Sequence, residues 1–507
     1  MKRKLLLTAV IIPLLITACS SPRSEDQSSS ANTSAPQSEI ISSEPTTSSE
    51  DARSEDKSSE AKSSEEPSSS KEDKPNESDD YHLNFEALLL KDEEDKPLDI
   101  QYDIPKAYLS FDHASTTFKK ELAIAASPFI ANAHDEEEIK KVYQFFEFDD
   151  FFASEDYKLD ETATTVKCFI GHKHYQDYEL INISVNGLKY MKPWQSNFNI
   201  GQNGAHAGFK EGSDKLLPMI ANYLNKYKDA SKVKIFVNGY SRSAAICNMA
   251  CAFLIDSKVI KEENLYAYLF ETPRGIPNTN TNEYKSIFNI INSADLVTYV
   301  APNEYGLKRV GVDVEIYKDN ADEILKAFDE RINIGTFTPK EKESEDTTNY
   351  YTNDIEFTKY LMSYLLEPVD PETLTEDTPL KDISTRENFV NNVSGDIGFL
   401  ASFFLSLPSE VVDAIMAKIK AAGLGELLGL LSPDGIYNFI LPILQEKEVV
   451  YEEEPLKAAL NGLLYLVINK QMILLFAMDE TSRADLMRSV YFHALETVVS
   501  LLIPLIW

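Results

Sequence analysis

Val233-Lys-Ile-Phe-Val-Asn-Gly-Tyr-Ser241-Arg-Ser-Ala-Ala-Ile-Cys-Asn-Met-Ala-Cys251 is the stretch on which the fold turns. Strand formers Val233, Ile235, Phe236 and Val237 run into Gly239-Tyr240-Ser241-Arg242-Ser243, and a helical run from Ala244 to Leu254 follows at once. A sharp strand-to-helix turn with serine at its tip is a nucleophile elbow. It exposes the serine oxygen and crowds the backbone, so the residues two before and two after must be small. Here they are Gly239 and Ser243. Ser243 fits less well as the nucleophile, since serine would then stand where Gly239 now stands. The plainer alternative is a Gly/Ser turn joining a buried strand to a helix, because a Gly-x-Ser-x-small string gains meaning only from its context.

The histidines narrow the reading. There are seven, at 82, 113, 134, 172, 174, 206 and 493, and only His493 follows Ser241. Sheets that carry such an elbow place the triad in the chain order serine, acid, histidine. His493 is therefore the candidate base, which takes the serine proton and returns it to the leaving group. Its surroundings, Ser489 to Val499, read as continuous helix, which also suits a surface histidine. The acid should follow a later strand. Ser286 to Ile291 is a strand candidate that ends in Asn292-Ser-Ala-Asp295, so Asp295 is the candidate acid. Glu271, directly after the strand candidate Leu265 to Phe270, is its rival.

An oxyanion hole needs backbone N–H groups aimed at the developing charge. One is expected from Arg242, the residue after the serine. The other is expected from Leu188, after the strand Tyr178 to Val185 and the turn Asn186-Gly187.

Four segments in order resemble the class 3 (fungal-lipase-like) lipases, in a bacterial branch. ISVNGLKYMKPWQSNFNIG is similar to the family's strand, Arg-Gly-Thr/Ser turn and Trp-x-x-Asn-Phe stretch. HAGFKEG is similar to its His-x-Gly-Phe helix start. VNGYSRSAA is similar to Gly-His-Ser-Arg-Gly-Gly-Ala. IFNIINSADLVTYVAPNEYGLKRVG resembles the strand, acid and Pro-x-x-x-Gly-x-x-Arg-x-Gly segment. They span about Val166 to Val314, and HALETV supplies a histidine box. The resemblance implies an α/β-hydrolase fold, a triad of Ser241, Asp295 and His493, no metal or other cofactor, and hydrolysis of acyl esters, usually of lipids. It also makes His206 structural. The chain departs from the family at Asn186-Gly187-Leu188, which lacks a hydroxyl for the oxyanion hole, at Tyr240 and at Ser243.

The N-terminus points to a location. Lys2-Arg3-Lys4 precedes an apolar run, Leu5 to Leu15, too short to span a bilayer, so residues 1–18 read as a signal peptide. Leu15-Ile-Thr-Ala-Cys19 resembles a bacterial lipobox, which implies cleavage before Cys19 and its acylation. The alternative is an ordinary secretory leader. Two acyl chains hold stably to a membrane without a spanning helix. The expected place is extracytoplasmic, lipid-anchored to a bacterial membrane. Residues 19–80, rich in Ser, Glu and Lys, bury too little apolar surface to offset ordering entropy and read as a disordered tether. Its mean span as a coil is on the order of 40–50 Å.

The formal net charge is −33, most of it on residues 81–507, which argues against nucleic acid as a partner and against adsorption to anionic headgroups. Of four cysteines, Cys168, Cys247 and Cys251 suggest no disulfide framework, and the latter two read as buried apolar residues. Cys168, His172 and His174 share one face of a strand, but no fourth metal ligand is evident.

The expected organisation is a mostly parallel α/β sheet with flanking helices over 81–320, a helical cap insertion over 321–480, and a segment 481–507 bearing the histidine. Within the insertion, the apolar stretches 400–404 and 427–431 are expected to cover the mouth of the site. A short-chain or polysaccharide esterase, and a binding lipoprotein with a dead site, remain the alternatives, since fold alone does not settle activity.

Overall fold

The computed structural model describes residues 79–91, 97–154, 165–188, 194–227, 230–316, 383–422 and 434–469, parts of 355–368, and the single residues 430 and 493. The leader, nearly all of the tether and Cys19 lie outside them. The chain opens with an antiparallel hairpin, β1 (Asp80–Lys91) and β2 (Pro97–Pro105), followed by α1 (Lys120–Asn132) and α2 (Glu136–Phe145). Then come β3 (Asp150–Ala153), β4 (Cys168–Tyr175), β5 (Tyr178–Val185), α3 (Trp194–Phe198) and α4 (Ala207–Leu224). The elbow stretch forms β6 (Val233–Tyr240) and α5 (Arg242–Asp256). After it follow β7 (Leu265–Phe270), β8 (Ile276–Pro277), β9 (Ile287–Ile291), β10 (Leu307–Lys308) and β11 (Val312–Glu315).

Seven strands form one sheet in the order β11-β9-β7-β6-β5-β4-β3. From β5 to β11 neighbours are parallel, and β3 and β4 extend the sheet antiparallel, so the sheet is mostly parallel as expected. Every residue of β6, β7 and β9 is buried. Strands covered on both faces read as continuous apolar runs, and such sheets need helices on both sides. One face packs an aromatic core on α1 and α2, with Phe129, Tyr143, Phe146, Phe236 and Tyr268 among its members. The other packs smaller aliphatic residues on α4 and α5, including Leu216, Ile220, Val237, Ala244 and Cys247. Cys168, Cys247 and Cys251 are free and buried.

Parallel strands bring their carboxyl ends to one edge, where the connecting loops meet. The loops after β5, β6, β7 and β9 therefore converge, and they carry Asn186–Leu188, Ser241, Glu271 and Asp295. A polar tie fixes α5 against β9. Asn248 donates to Asn289 Oδ1 at 3.0 Å, and Asn289 donates to the Val310 carbonyl at 2.9 Å. Buried amides are strongly driven to pair in this way, because an unmatched amide loses its water bonds for nothing.

The elements described within 383–469 are α6 (Arg386–Phe389), a π-turn (Val390–Ser394), α7 (Gly395–Ser406), α8 (Ser409–Ala421), α9 (Gly435–Glu446) and α10 (Glu453–Asn469). They build a core of their own from Leu400, Phe404, Val411, Leu430, Leu444 and Leu456. Leu400, Phe404 and Leu430, expected on a face over the site, are instead interior to this helical layer, since several apolar faces meeting each other bury more than one laid on a loop edge. Among these residues no helix is long and apolar enough to cross a membrane.

The layer grips the sheet domain at the segment joining α3 to α4. The Arg386 guanidinium donates to the carbonyls of Gly201 (2.6 Å), Gly204 (2.8 Å), Ile200 (2.7 Å) and Ala205 (3.2 Å). Its planar fork satisfies four acceptors that a point charge cannot match in geometry. Arg386→Ala should destabilise the full-length protein by about 1.5–3 kcal/mol, the range for hydrogen bonds to a charged group, and Arg386→Lys should restore only part. Urea denaturation measures both; an alanine variant as stable as the wild type would contradict this role.

Candidate active site

Gly239 sits opposite Leu269 and Tyr240 opposite Phe270, so the chain leaves β6 with Ser241 still tied to the neighbouring strand by its amide, 2.9 Å from the Phe270 carbonyl. Ser241 then turns to φ 58°, ψ −126°, and α5 begins at the next residue. A non-glycine residue held there costs on the order of 1–3 kcal/mol and persists only where its surroundings over-determine it. The surroundings are tight. A Cβ on Gly239 would lie 3.0 Å from the Ser243 backbone, and one on Gly187 would lie 1.9 Å from the Tyr240 carbonyl oxygen. Ser243 is part of the scaffold: its hydroxyl accepts from the Tyr240 amide and donates to the Tyr240 carbonyl, both at 2.9 Å.

Three side chains far apart in sequence meet at this turn. Ser241 Oγ is 2.8 Å from His493 Nε2, and His493 Nδ1 is 2.7 Å from Asp295 Oδ2. A carboxylate only accepts, so Nδ1 carries the proton, and Nε2 presents a lone pair to the serine hydroxyl. Asp295 is fully buried, and its other oxygen accepts the Val297 amide at 2.8 Å. Chemically this is a hydroxyl facing a base that a buried carboxyl orients, an arrangement able to activate an oxygen nucleophile. His493 sits in a turn, and the remainder of the stretch read as helix lies outside the described residues.

Tyr240 was not singled out by pattern, yet it holds the histidine. Its ring stacks on the imidazole at 5.3 Å between centroids, and its hydroxyl donates to the His493 carbonyl. Period-2 alternation along β6 puts it on the aromatic face, the only hint available in sequence.

The expected oxyanion donors stand differently. Arg242 opens α5, where first-turn amides have no acceptor within the helix. Its side chain turns inward, and Nε donates to Ser196 Oγ at 2.8 Å. The Leu188 amide, however, donates to Asn186 Oδ1 at 2.8 Å, so in this conformation it is taken up by the turn itself. Asparagine two residues earlier is a ready local acceptor, and it outcompetes an empty site.

Glu271 is fully buried beside Asp295; burial first, then the neighbouring Asp295, raises its carboxyl well above the usual range. His206 caps α4 and stacks on Phe209; burial lowers its pKa to about 3, so it stays neutral. Of the strand-face trio, His172 and His174 both turn to Glu179, at 2.6 and 3.4 Å, while Cys168 is buried in the aliphatic core. Among the described residues no three His, Cys, Asp or Glu side chains gather as metal ligands do.

No family model matches the chain, and no curated protein matches it. Among solved structures it is similar to the triacylglyceride lipase of Rhizomucor miehei, at 17% identity and a TM-score of 0.32, over 40% of this chain and 83% of that one. It is similar also to the lipase from Rhizopus microsporus var. chinensis, at 19% identity and a TM-score of 0.29, over 39% and 73% of the two chains. A third is the mono- and diacylglycerol lipase from Aspergillus oryzae, at 19% and 0.29, over 40% and 80%.

Tyr240→Phe keeps the stack and removes the hydroxyl that anchors His493. The variant should lose about 0.5–1.5 kcal/mol of stability, the net worth of one such bond, and a crystal structure should show His493 displaced from Ser241. An unmoved His493 and unchanged stability would rule the anchor out.

Proposed function

We propose that this chain is a serine hydrolase of carboxylic esters, with lipid acyl esters as the substrate class. One observation carries the reading: Ser241, His493 and Asp295, drawn from residues up to 252 positions apart, form an unbroken chain of two short hydrogen bonds. In this mechanism Ser241 Oγ attacks the ester carbonyl as its proton passes to His493 Nε2. Asp295 stabilises the resulting imidazolium without taking its proton. The tetrahedral intermediate collapses, the proton goes to the leaving alkoxide, and the acyl group remains on Ser241. Water then repeats the sequence with His493 as base, releasing the acid and restoring the serine. The amides of Arg242 and Leu188 are assigned to the oxyanion, which requires Leu188 to exchange Asn186 for the substrate oxygen.

That requirement is the one feature favouring the second reading, a binding protein with an unproductive site. Reaction with a fluorophosphonate separates the two, since the probe needs an activated serine. Ser241→Ala should abolish labelling and reduce ester hydrolysis by roughly 10^4–10^6-fold. Ser243→Ala should cost about 1 kcal/mol of stability and retain most labelling, since its hydroxyl only ties the backbone of Tyr240. Labelling that persists in Ser241→Ala, or that never occurs in the wild type, would sink the assignment. Falling acetyl-ester and rising long-chain turnover would place the substrate among lipids; the reverse would favour a short-chain esterase.

The place of action is proposed from sequence alone. Leu15 to Cys19 supports acylation of Cys19 and residence on the outer side of a bacterial membrane, with the helical layer as a cap on the site. A clickable fatty acid fed to expressing cells should mark the wild type and spare Cys19→Ser; equal marking of the two would refute the anchor.

A further inference from the structure

The reaction proposed above makes no use of Glu271, although this residue lies at the centre of the site. Its strand, β7, runs between β6, which leads to Ser241, and β9, which leads to Asp295. Glu271 is the first residue past β7, with its amide donating to the Ile290 carbonyl at 2.8 Å. It is wholly buried and held at φ 47°. An L-residue in that region costs about 1–2 kcal/mol, and glycine there would cost nothing. Oε2 accepts the Asn292 amide at 3.1 Å. Oε1 is buried with no donor in reach. The side chain lies against the Asp295 carboxyl.

Two carboxylates in contact and out of water do not both stay charged. Asp295 accepts two N–H bonds, from His493 and Val297, whereas Glu271 accepts one, so the shared proton belongs on Glu271. A proton on the Glu271 carboxyl makes it a donor for the Asp295 carboxylate beside it, and the repulsion of two buried charges disappears. We propose that Glu271 is a positioning residue: held neutral, it donates a hydrogen bond to the Asp295 carboxylate and fixes the orientation in which Asp295 meets His493. The proposal rests on the reading of Ser241, His493 and Asp295 as a triad. The charged groups around the pair are His493, on the far side of Asp295, and Arg309, whose guanidinium is held by the Thr272 and Thr298 carbonyls and by Asp313. Burial and Asp295 raise the Glu271 carboxyl well above its ordinary value, and Arg309 opposes them weakly.

Two variants of the full-length protein test this. Glu271→Gln is neutral at every pH, keeps a carbonyl for the Asn292 amide and keeps a donor for Asp295. Glu271→Met fills the same volume with no donor; if it does not fold, Glu271→Asn, which tolerates positive φ but is too short to reach, replaces it. The first readout is independent of activity. Folded wild type keeps a proton that the unfolded chain releases above about 4.5, so the contribution of this group to stability is fully present below that pH and declines as pH rises. Glu271→Gln has no such proton to keep. The melting temperature of Glu271→Gln should therefore rise above that of wild type between pH 4.5 and neutrality, the gap widening with pH. The second readout is kinetic. Glu271→Gln should keep kcat within about threefold, and the donorless variant should lose about tenfold in kcat at unchanged KM, the worth of one hydrogen bond in the transition state.

A melting-temperature gap that stays flat with pH overturns the neutral Glu271. A Gln variant as slow as the donorless one, or a donorless variant as fast as wild type, overturns the positioning role. If wild type hydrolyses no ester at all, the triad reading fails instead, and the pH-dependent gap still decides where the proton resides.

Discussion

The site depends on one steric constraint: the backbone at Ser241 must reverse within a single residue at the end of a fully buried strand. That reversal is possible only because nothing stands in the way of the Tyr240 carbonyl and the first turn of α5. Gly187 supplies the clearance on the β5 side and Gly239 on the other. Ser243 then ties off both polar groups of Tyr240. The parallel register does the rest. With β5, β6, β7 and β9 aligned in one direction, three further loops end beside the turn, and the acid needs only the few residues from Asn292 to Asp295 to reach it. The histidine is the exception. It arrives from nearly 200 residues downstream of Asp295, and so it must be held by what is already in place. Tyr240 does this from beneath the elbow, gripping the His493 backbone while Ser241 and Asp295 take the two ring nitrogens.

How much of this was legible depended on how local its cause was. The elbow was readable because small residues, a strand pattern and a helix pattern sit within one short window. The strand limits at Leu265 and Phe270 were readable for the same reason: a bounded apolar run has one good solution. Asp295 followed from the strand before it. His493 came from elimination, with no local signal, and its helical surroundings argued the other way. What escaped was set by packing. Nothing in Asn186-Gly187-Leu188 says that the asparagine side chain will close on the Leu188 amide; that outcome is a competition between a local acceptor and an absent substrate. Nor does Glu271 announce its protonation. The residue was noticed as a rival acid, and its actual neighbour became visible only once β7 and β9 were paired. The apolar helices after 383 were recognised as helices, but their faces turned toward one another, because an apolar stripe names no partner.

Burial of polar groups separates structural from chemical roles across this fold. Tyr143, Asn248 and Asn289 are deep in the protein, and each is engaged by neighbours whose own groups need a partner, so their burial costs little. His206 is likewise spoken for by the helix it caps and the Asn197 carbonyl. At the loop edge the pattern changes. Ser241 carries backbone strain, Asp295 brings a carboxyl to full burial, and Glu271 combines strain with an unmatched oxygen. Positive φ and unmatched buried groups occur elsewhere too, at Glu147 and Asn182 for example, but here strain, a buried carboxyl pair and an unmatched oxygen fall together in one place, as expected where the sequence serves something other than stability.

The helical layer enters this logic through its attachment. Arg386 holds Ile200, Gly201, Gly204 and Ala205. Ser394 donates to the Phe198 carbonyl, and α7 lies along α3. These contacts fall on residues 194–205, and Tyr305 adds another by donating to the Ile383 carbonyl and packing on Phe389. The layer's apolar residues close on themselves, which makes it a body able to keep its shape wherever it sits. Its hold on the sheet domain combines these backbone-carbonyl contacts with the apolar packing of Phe389 and Val390 against Ile200, Tyr305 and Leu307.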